Sequence, residues 1–240
     1  PIVKMNKYTL KDKKIITKRD KYYKEKQLDA KFAIDNFSLF VGKVPLSGFL
    51  ARSELVKLTI DIPGHICEFG VFNGSGLLAL AKLLELYTSN DFKKVYGFDS
   101  FEGLTEINTE KDGQQTFGRY KGHQEFLIDM IELHNLKGTI KLVKGIIEET
   151  LPHFLDNNAH QFFSLIYIDT DLYESTKVIL ERLWPQLSVG GIIAFDEGYD
   201  DEFPGEGIAA IEFLNKSEIK YSSHSFPWAR QPMLYIKKLQ

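Results

Sequence analysis

The chain has 240 residues, 43% of them hydrophobic and 26% charged, with a formal net charge of −3. Such a composition is ordinary for a globular chain of one or two domains and excludes a fibrous or disordered one. A single cysteine, Cys67, excludes a disulfide scaffold and a multi-thiolate metal centre, and points to a reducing, cytoplasmic setting.

The charge is unevenly spread. Residues 1–31 hold 11 Lys and Arg against 4 Asp and Glu, which leaves 19 against 29 in the remainder. A basic arm is compatible with a nucleic-acid or membrane tether. Tyr8, Tyr22, Tyr23 and Leu28 interrupt the charge, however, and suit a partly helical arm that packs on a neighbouring subunit. The acidic remainder argues against a phosphate-backbone partner. No apolar run nears the ~20 residues that span a bilayer, and the polar start PIVKMNKYTLKDKK offers no signal-peptide core.

Residues 27–60 carry apolar residues at helical spacing on both sides of a break at 41–48, which predicts two helices covering one face or end of the remaining chain. Short apolar runs then alternate with helical stretches. Strands are predicted at 65–72, 94–101, 139–145, 162–171 and 190–198, with helices after the first turn and over 123–136, 174–187 and 205–216. Residues 220–225 and 232–238 read as a terminal antiparallel pair. The pattern is that of an α/β fold, a mostly parallel twisted sheet with helices on both faces. We divide it into 1–60, the arm and covering helices, and 61–240, a ligand-binding domain. In such sheets ligands sit beyond the carboxyl ends of the strands, where the strand order reverses.

The first strand runs through Glu68 and Gly70 into a turn containing Asn73, Gly74 and Ser75. It lacks the order G-x-G-x-x-G and the Lys-Ser/Thr of a P-loop, and an acidic strand end suits an ammonium or a ribose better than a phosphate. A plain strand–helix turn is the blander reading. The second strand ends in Asp99-Ser100, where a carboxylate suits a ribose diol. Together the two ends favour S-adenosylmethionine. Asp169 and Asp171 close the fourth strand, and Asp196 and Glu197 close the fifth. Carboxylates gathered there repel unless a cation intervenes, and hard oxygen ligands suit Mg2+. Asp171 has a second reading as a helix cap, with Glu174 completing a capping box.

The runs GHICEFGVFNGSG, YGFDSFEGL, VKGIIEETLP, IDTDLYESTKVILERLWPQLSVGGIIAFDEGYD and PGEGIAAIEFL, in that order over about residues 40–240, resemble the macrocin O-methyltransferase (TylF/MycF-type) family. The resemblance implies a Rossmann-like class I methyltransferase that moves a methyl group from S-adenosylmethionine to a sugar hydroxyl, with Mg2+ assisting. It assigns Glu68, Gly70, Asn73, Gly74, Ser75, Asp99 and Ser100 to the cofactor, Asp169, Asp196 and Glu197 to the metal, and Asp171 to the role of general base. The family usually shows Asp-Asp where this chain has Asp196-Glu197.

The implied partners are a small-molecule or glycan acceptor and a second copy of the chain, with neither nucleic acid nor a membrane. One alternative is a non-catalytic S-adenosylmethionine-binding scaffold of the same fold. A nicotinamide oxidoreductase is disfavoured by Glu68 and the missing glycine order. His123 and His134, 11 residues apart, read as surface or core-edge residues, Cys67 as a core thiol, and 105–123 as a lid whose Phe117 and Tyr120 either shape a pocket or pack the lid.

Overall fold

Those alternating segments form a seven-stranded sheet in the computed structural model, which describes residues 8–89 and 91–240. The strands are β1 (His65–Phe69), β2 (Val95–Asp99), β3 (Ile140–Lys144), β4 (Phe163–Ile168), β5 (Leu187–Phe195), β6 (Tyr221–His224) and β7 (Leu234–Lys238). Their order is β3-β2-β1-β4-β5-β7-β6. β1 to β5 run parallel, while β7 joins β5 and β6 antiparallel, as predicted for the C-terminal pair. The order reverses between β1 and β4, which opens a crevice at their carboxyl ends.

Two residue rows explain the layering, because successive side chains of a strand face opposite ways. Cys67, Phe69, Phe98, Ile166, Ile168 and Phe195 face helices α7 (Ile147–Asn157), α8 (Tyr173–Leu183) and α9 (Pro204–Leu214). Ile66, Val95, Leu165, Tyr167 and Ala194 face α4 (Lys43–Thr59), α5 (Ser75–Tyr87) and α6 (Gln124–Leu133). Each fully buried Ile or Phe stabilises the fold by about 1.5–3 kcal/mol. Leu55 and Val56 of α4 share the second core with β1.

The helices differ from expectation at three places. The helix before the 41–48 break is split by Asn36 into α2 (Ala30–Asp35) and α3 (Phe37–Phe40). The break itself shrinks to Val41-Gly42, since α4 starts at Lys43 and accommodates Pro45 in its first turn, where the missing N–H has no helical partner to lose. Third, α7 has no counterpart among the helices expected from the sequence. Pro152 inside it obscures the pattern, yet Ile147, Leu151 and Leu155 recur every four residues and are buried.

The arm contains α1 (Leu10–Lys26), started by a Thr9–Asp12 capping box, and none of the residues of α1, α2 or α3 is buried. The arm's first seven residues lie outside the described residues. No helix among the described residues is long and apolar enough to cross a membrane.

Candidate active site

The sheet register builds the site. Phe69 is level with Phe98 on one side and Ile168 on the other, and Ile168 is level with Phe195. The next residues, Asp99, Gly70, Asp169 and Asp196, therefore fall in a row along the sheet edge. The ladder continues through them: Gly70 N donates to Phe98 O, Asp169 N to Phe69 O and Asp196 N to Ile168 O. Gly70, at φ +86°, allows this closeness, because a Cβ there would lie 1.8 Å from the Asp169 carbonyl oxygen.

Above the row lies a cavity of about 280 Å3. One side presents Gly70, Asp99 and Ser100, the other Asp169, Thr170 and Asp171. Leu104 also lines it, with Thr105 and Tyr120 from the segment 105–123 expected as a lid, and so do Glu148 and Ser175, hydrogen-bonded at 2.7 Å. Phe117 is exposed. Among the described residues six non-glycine positions have positive φ, and three of them line this space: Phe72, Tyr120 and Asp171. Left-handed backbone at such residues costs about 1–3 kcal/mol each and persists only where the surroundings enforce it.

The structure brings together some of the candidate residues and separates others. Gly70, Asp99, Ser100, Asp169 and Asp171 line the cavity. Asn73 accepts from the His123 amide, Gly74 is the N-cap of α5, and exposed Ser75 begins that helix. His123 and His134 are the exposed end caps of α6, and Cys67 is a fully buried thiol whose pKa burial pushes up. Asp171 stands one residue outside the N-cap of α8, which is Leu172, so the capping-box reading fails.

Glu68 faces away from the cavity. It is level with Tyr167 on the α4 face of the sheet, and its Oε1 lies 3.4 Å from Arg52 Nη2. Arg52, from α4, also stacks 4.1 Å from the Tyr167 ring centroid and reaches within 3.9 Å of Asp169 Oδ2. Burial opposes its charge, but Tyr167, Glu68, Asp196 and Asp169 hold its pKa above the ordinary value. Burial lifts the Glu68 carboxyl to about 7, with Arg52 pulling it down and Asp196 and Asp99 pushing it further up.

The acidic row is tied by neutral donors. Asp196 accepts from the Tyr167 hydroxyl and from the Gln231 amide, which also donates to Glu197 Oε1 at 2.9 Å. Glu206 of α9, fully buried, accepts from Glu197 N, and its Oε2 has no hydrogen-bond partner among the described residues. Burial, then Asp196 and Asp171, push the Asp169 carboxyl well above its usual range. Burial and Asp196 do the same to Glu206. As these side chains stand, no three His, Cys, Asp or Glu among the described residues are arranged to hold a metal. Both Asp196 oxygens are already engaged.

Residues 5–222 match the macrocin-O-methyltransferase (TylF) family. The chain belongs to that family. It is 28% identical over 148 residues to the 8-demethyl-8-(2,3-dimethoxy-alpha-L-rhamnosyl)-tetracenomycin-C 4'-O-methyltransferase of Streptomyces olivaceus, which is 58% of this chain and 55% of that protein. The demethyldecarbamoylnovobiocin O-methyltransferase of Streptomyces niveus is 24% identical over 145 residues, 57% of this chain and 53% of that protein. The chain thus spans about half the length of these curated relatives in the matched regions. Among solved structures, the calicheamicin methyltransferase CalS11 superposes with a TM-score of 0.84 at 26% identity, over 98% of this chain and 95% of that one. The Rossmann-like class I methyltransferase fold expected from the sequence is therefore the fold observed.

Within this family member, sequence reasoning missed Arg52, Tyr167, Gln231 and Glu206. Glu206 carried a signal, as a lone acid among small apolar residues in PGEGIAA. Arg52 carried a weaker one, as a charge beside the buried Ala51, Leu55 and Val56 of α4. Tyr167 and Gln231 carried none.

Proposed function

We propose that the protein is an S-adenosylmethionine-dependent O-methyltransferase acting on a sugar hydroxyl of a glycosylated natural product. The observation that carries the reading is the row Asp99–Gly70–Asp169–Asp196 at the reversal of strand order, with Asp171 lining the cavity above it. Family membership and the sugar acceptors in the relatives' names support the acceptor class.

S-adenosylmethionine would supply an electrophilic methyl group and a divalent cation such as Mg2+ would supply Lewis acidity toward the acceptor hydroxyl. The donor chemistry fits a cation. Asp169, Asp196, Glu197 and Glu206 gather hard oxygen atoms against one guanidinium, and Glu206 Oε2 is an orphaned buried acceptor. Asp169, Asp196 and Glu197 would hold it once the Gln231 amide gives way. Asp171 takes the acceptor proton on its carboxylate as the C–O bond forms. Asp99 and Ser100 bind the cofactor's ribose end, and Gly70 lets the backbone approach it. Glu68, Asn73, Gly74 and Ser75 support that turn, Glu68 from beneath through Arg52. The lid holds the acceptor in line and excludes water.

The buried, unpaired Cys67 fits a reducing cytoplasm. Residues 1–60 serve as arm and cover, and 61–240 as the methyltransferase domain. The arm exposes Leu10, Ile15 and Tyr22 and suits a contact with a second copy, whereas the acidic body does not suit nucleic acid. Deleting residues 1–31 should shift the sedimentation profile toward smaller species.

Titration calorimetry with S-adenosylmethionine, S-adenosylhomocysteine and NAD, with and without Mg2+, tests the cofactor. Stabilisation or heat from NAD alone overturns the proposal. Incubation with glycosylated scaffolds, read as a mass gain of one CH2, then tests the acceptor class.

A further inference from the structure

Asp112 belongs to the lid and does not line the cavity, yet it is completely buried. Its Oδ1 accepts from Tyr173 N at 2.7 Å and its Oδ2 from Asn108 N at 2.6 Å, while its own amide donates to Asn108 O at 2.8 Å. The Tyr173 amide opens α8, whose N-cap, Leu172, has no side-chain acceptor to offer. The helix is thus capped by a carboxylate 61 residues away in sequence.

Neighbouring contacts grip the same two residues. Asn108 Nδ2 donates to Glu174 Oε1 at 3.2 Å. Lys111 Nζ lies 3.5 Å from the Tyr173 ring centroid and 2.9 Å from Glu212 Oε1, and Glu212 also accepts from the Tyr173 hydroxyl. The start of α9 abuts the junction as well. A Cβ on Gly205 would fall 2.0 Å from Asp112 Oδ1 and 2.7 Å from Tyr173 N. An apolar residue at 112 would leave the buried Tyr173 amide and the part-buried Asn108 amide without this acceptor.

Two residues before the capped amide stands Asp171, at φ +63°. Aspartate tolerates that left-handed backbone better than most side chains do, and the segment immediately after it is fixed by 108–112. The lid also contributes Thr105 and Tyr120, and the start of α8 contributes Leu172 and Ser175, to one cavity.

We infer that Asp112 is a positioning residue that clamps the lid to the turn carrying Asp171, so that lid closure and placement of the base are one event. Only the role of Asp171 rests on the methyltransferase proposal; the clamp is measurable with no acceptor present.

The test is hydrogen–deuterium exchange on the full chain, with and without S-adenosylhomocysteine, alongside calorimetry with the same probe. In Asp112→Ala, exchange should rise together in 102–122 and 171–176 by roughly tenfold or more, since two charge-assisted hydrogen bonds are lost and one alone accounts for about tenfold. Peptides of β1 and β5 should stay protected, and S-adenosylhomocysteine should bind more weakly. Asp112→Asn, which keeps an oxygen for the Tyr173 amide, should restore most of the protection at 171–176. The exposed contact is tested by Lys111→Ala, which should loosen the same two segments to a smaller extent and serves if Asp112→Ala does not fold. Loosening confined to one of the two segments overturns the clamp. Absence of S-adenosylhomocysteine binding to the unmodified chain instead overturns the methyltransferase proposal, and the exchange data still decide the clamp.

Discussion

Asp99 and Asp169 are the same residue type at equivalent places, each just at the carboxyl end of a parallel strand beside β1, and their surroundings give them opposite characters. Asp99 accepts from the amides of Phe72 and Phe101 at 2.7 and 2.6 Å. Burial raises its pKa, and those amides, with that of Val71, restrain the rise. Asp169 faces Asp196 and Asp171, with Arg52 as the opposing cation, and its carboxyl is pushed well up. Backbone N–H groups make an anion comfortable without neutralising it, leaving lone pairs for hydroxyl donors. Crowded carboxylates instead create demand for a proton or a metal. The comparison divides the cavity into a hydroxyl-binding wall and a cation-seeking wall.

The largest expected effect lies on the second wall. Asp171→Asn should lower kcat by roughly 10²–10⁴ while Mg2+ and S-adenosylhomocysteine affinities stay within about twofold. By contrast, Asp169→Ala or Asp196→Ala should lower Mg2+ affinity and activity together, with excess metal restoring part of the rate. Calorimetry for binding and initial rates for turnover separate the two patterns. Full activity in EDTA would sink the cation reading of this wall and leave Asp169 and Asp196 as a hydrogen-bonded structural cluster.

Beneath both walls sits Glu68, where a smaller effect should appear in stability. Its carboxyl titrates at about 7 in the folded chain, raised first by burial, against an unfolded value near ~4.3. Because the folded value is the higher one, stability from neutral Glu68 is full below about pH 4.3 and fades as pH rises through 7. Glu68→Gln keeps the neutral form throughout. At pH 8 it should melt several degrees above the unmodified chain, since roughly 1.4 kcal/mol accompanies each pKa unit. Near pH 4.5 the two should nearly coincide. Equal melting at pH 8 would mean that Arg52 fully compensates the charge.

The acidic row was legible because two periodic facts determine it. Apolar runs locate the strands, and parallel pairing aligns their ends, so Asp99, Asp169 and Asp196 follow from position alone. What pairs with them was not legible. Arg52 reaches Glu68 from a helix whose sequence does not say which strand it covers, and Gln231 arrives from the irregular segment between β6 and β7. Asp112 sits in a lid without any period. Pro152 masked α7, and with it the Glu148 wall of the cavity.

The smallest effect is expected on the hydroxyl-binding wall. The two amides held by Asp99 belong to Phe72 and Phe101, which sit at φ +51° and +58°. The carboxylate therefore has two tasks, fixing those strained residues and accepting from a ribose diol, and the substitutions divide them. Asp99→Ala removes both and should weaken S-adenosylhomocysteine by roughly tenfold or more, as one charge-assisted bond is worth ~1.5–3 kcal/mol. Asp99→Asn keeps one oxygen acceptor and replaces the other with a donor that faces an amide. It should therefore fall between the two if the ribose contact dominates, and match Asp99→Ala if loop fixation does. Calorimetric dissociation constants for the three chains distinguish these cases. A dissociation constant unchanged in Asp99→Ala, with the melting curve intact, places the ribose elsewhere and removes the contrast with Asp169.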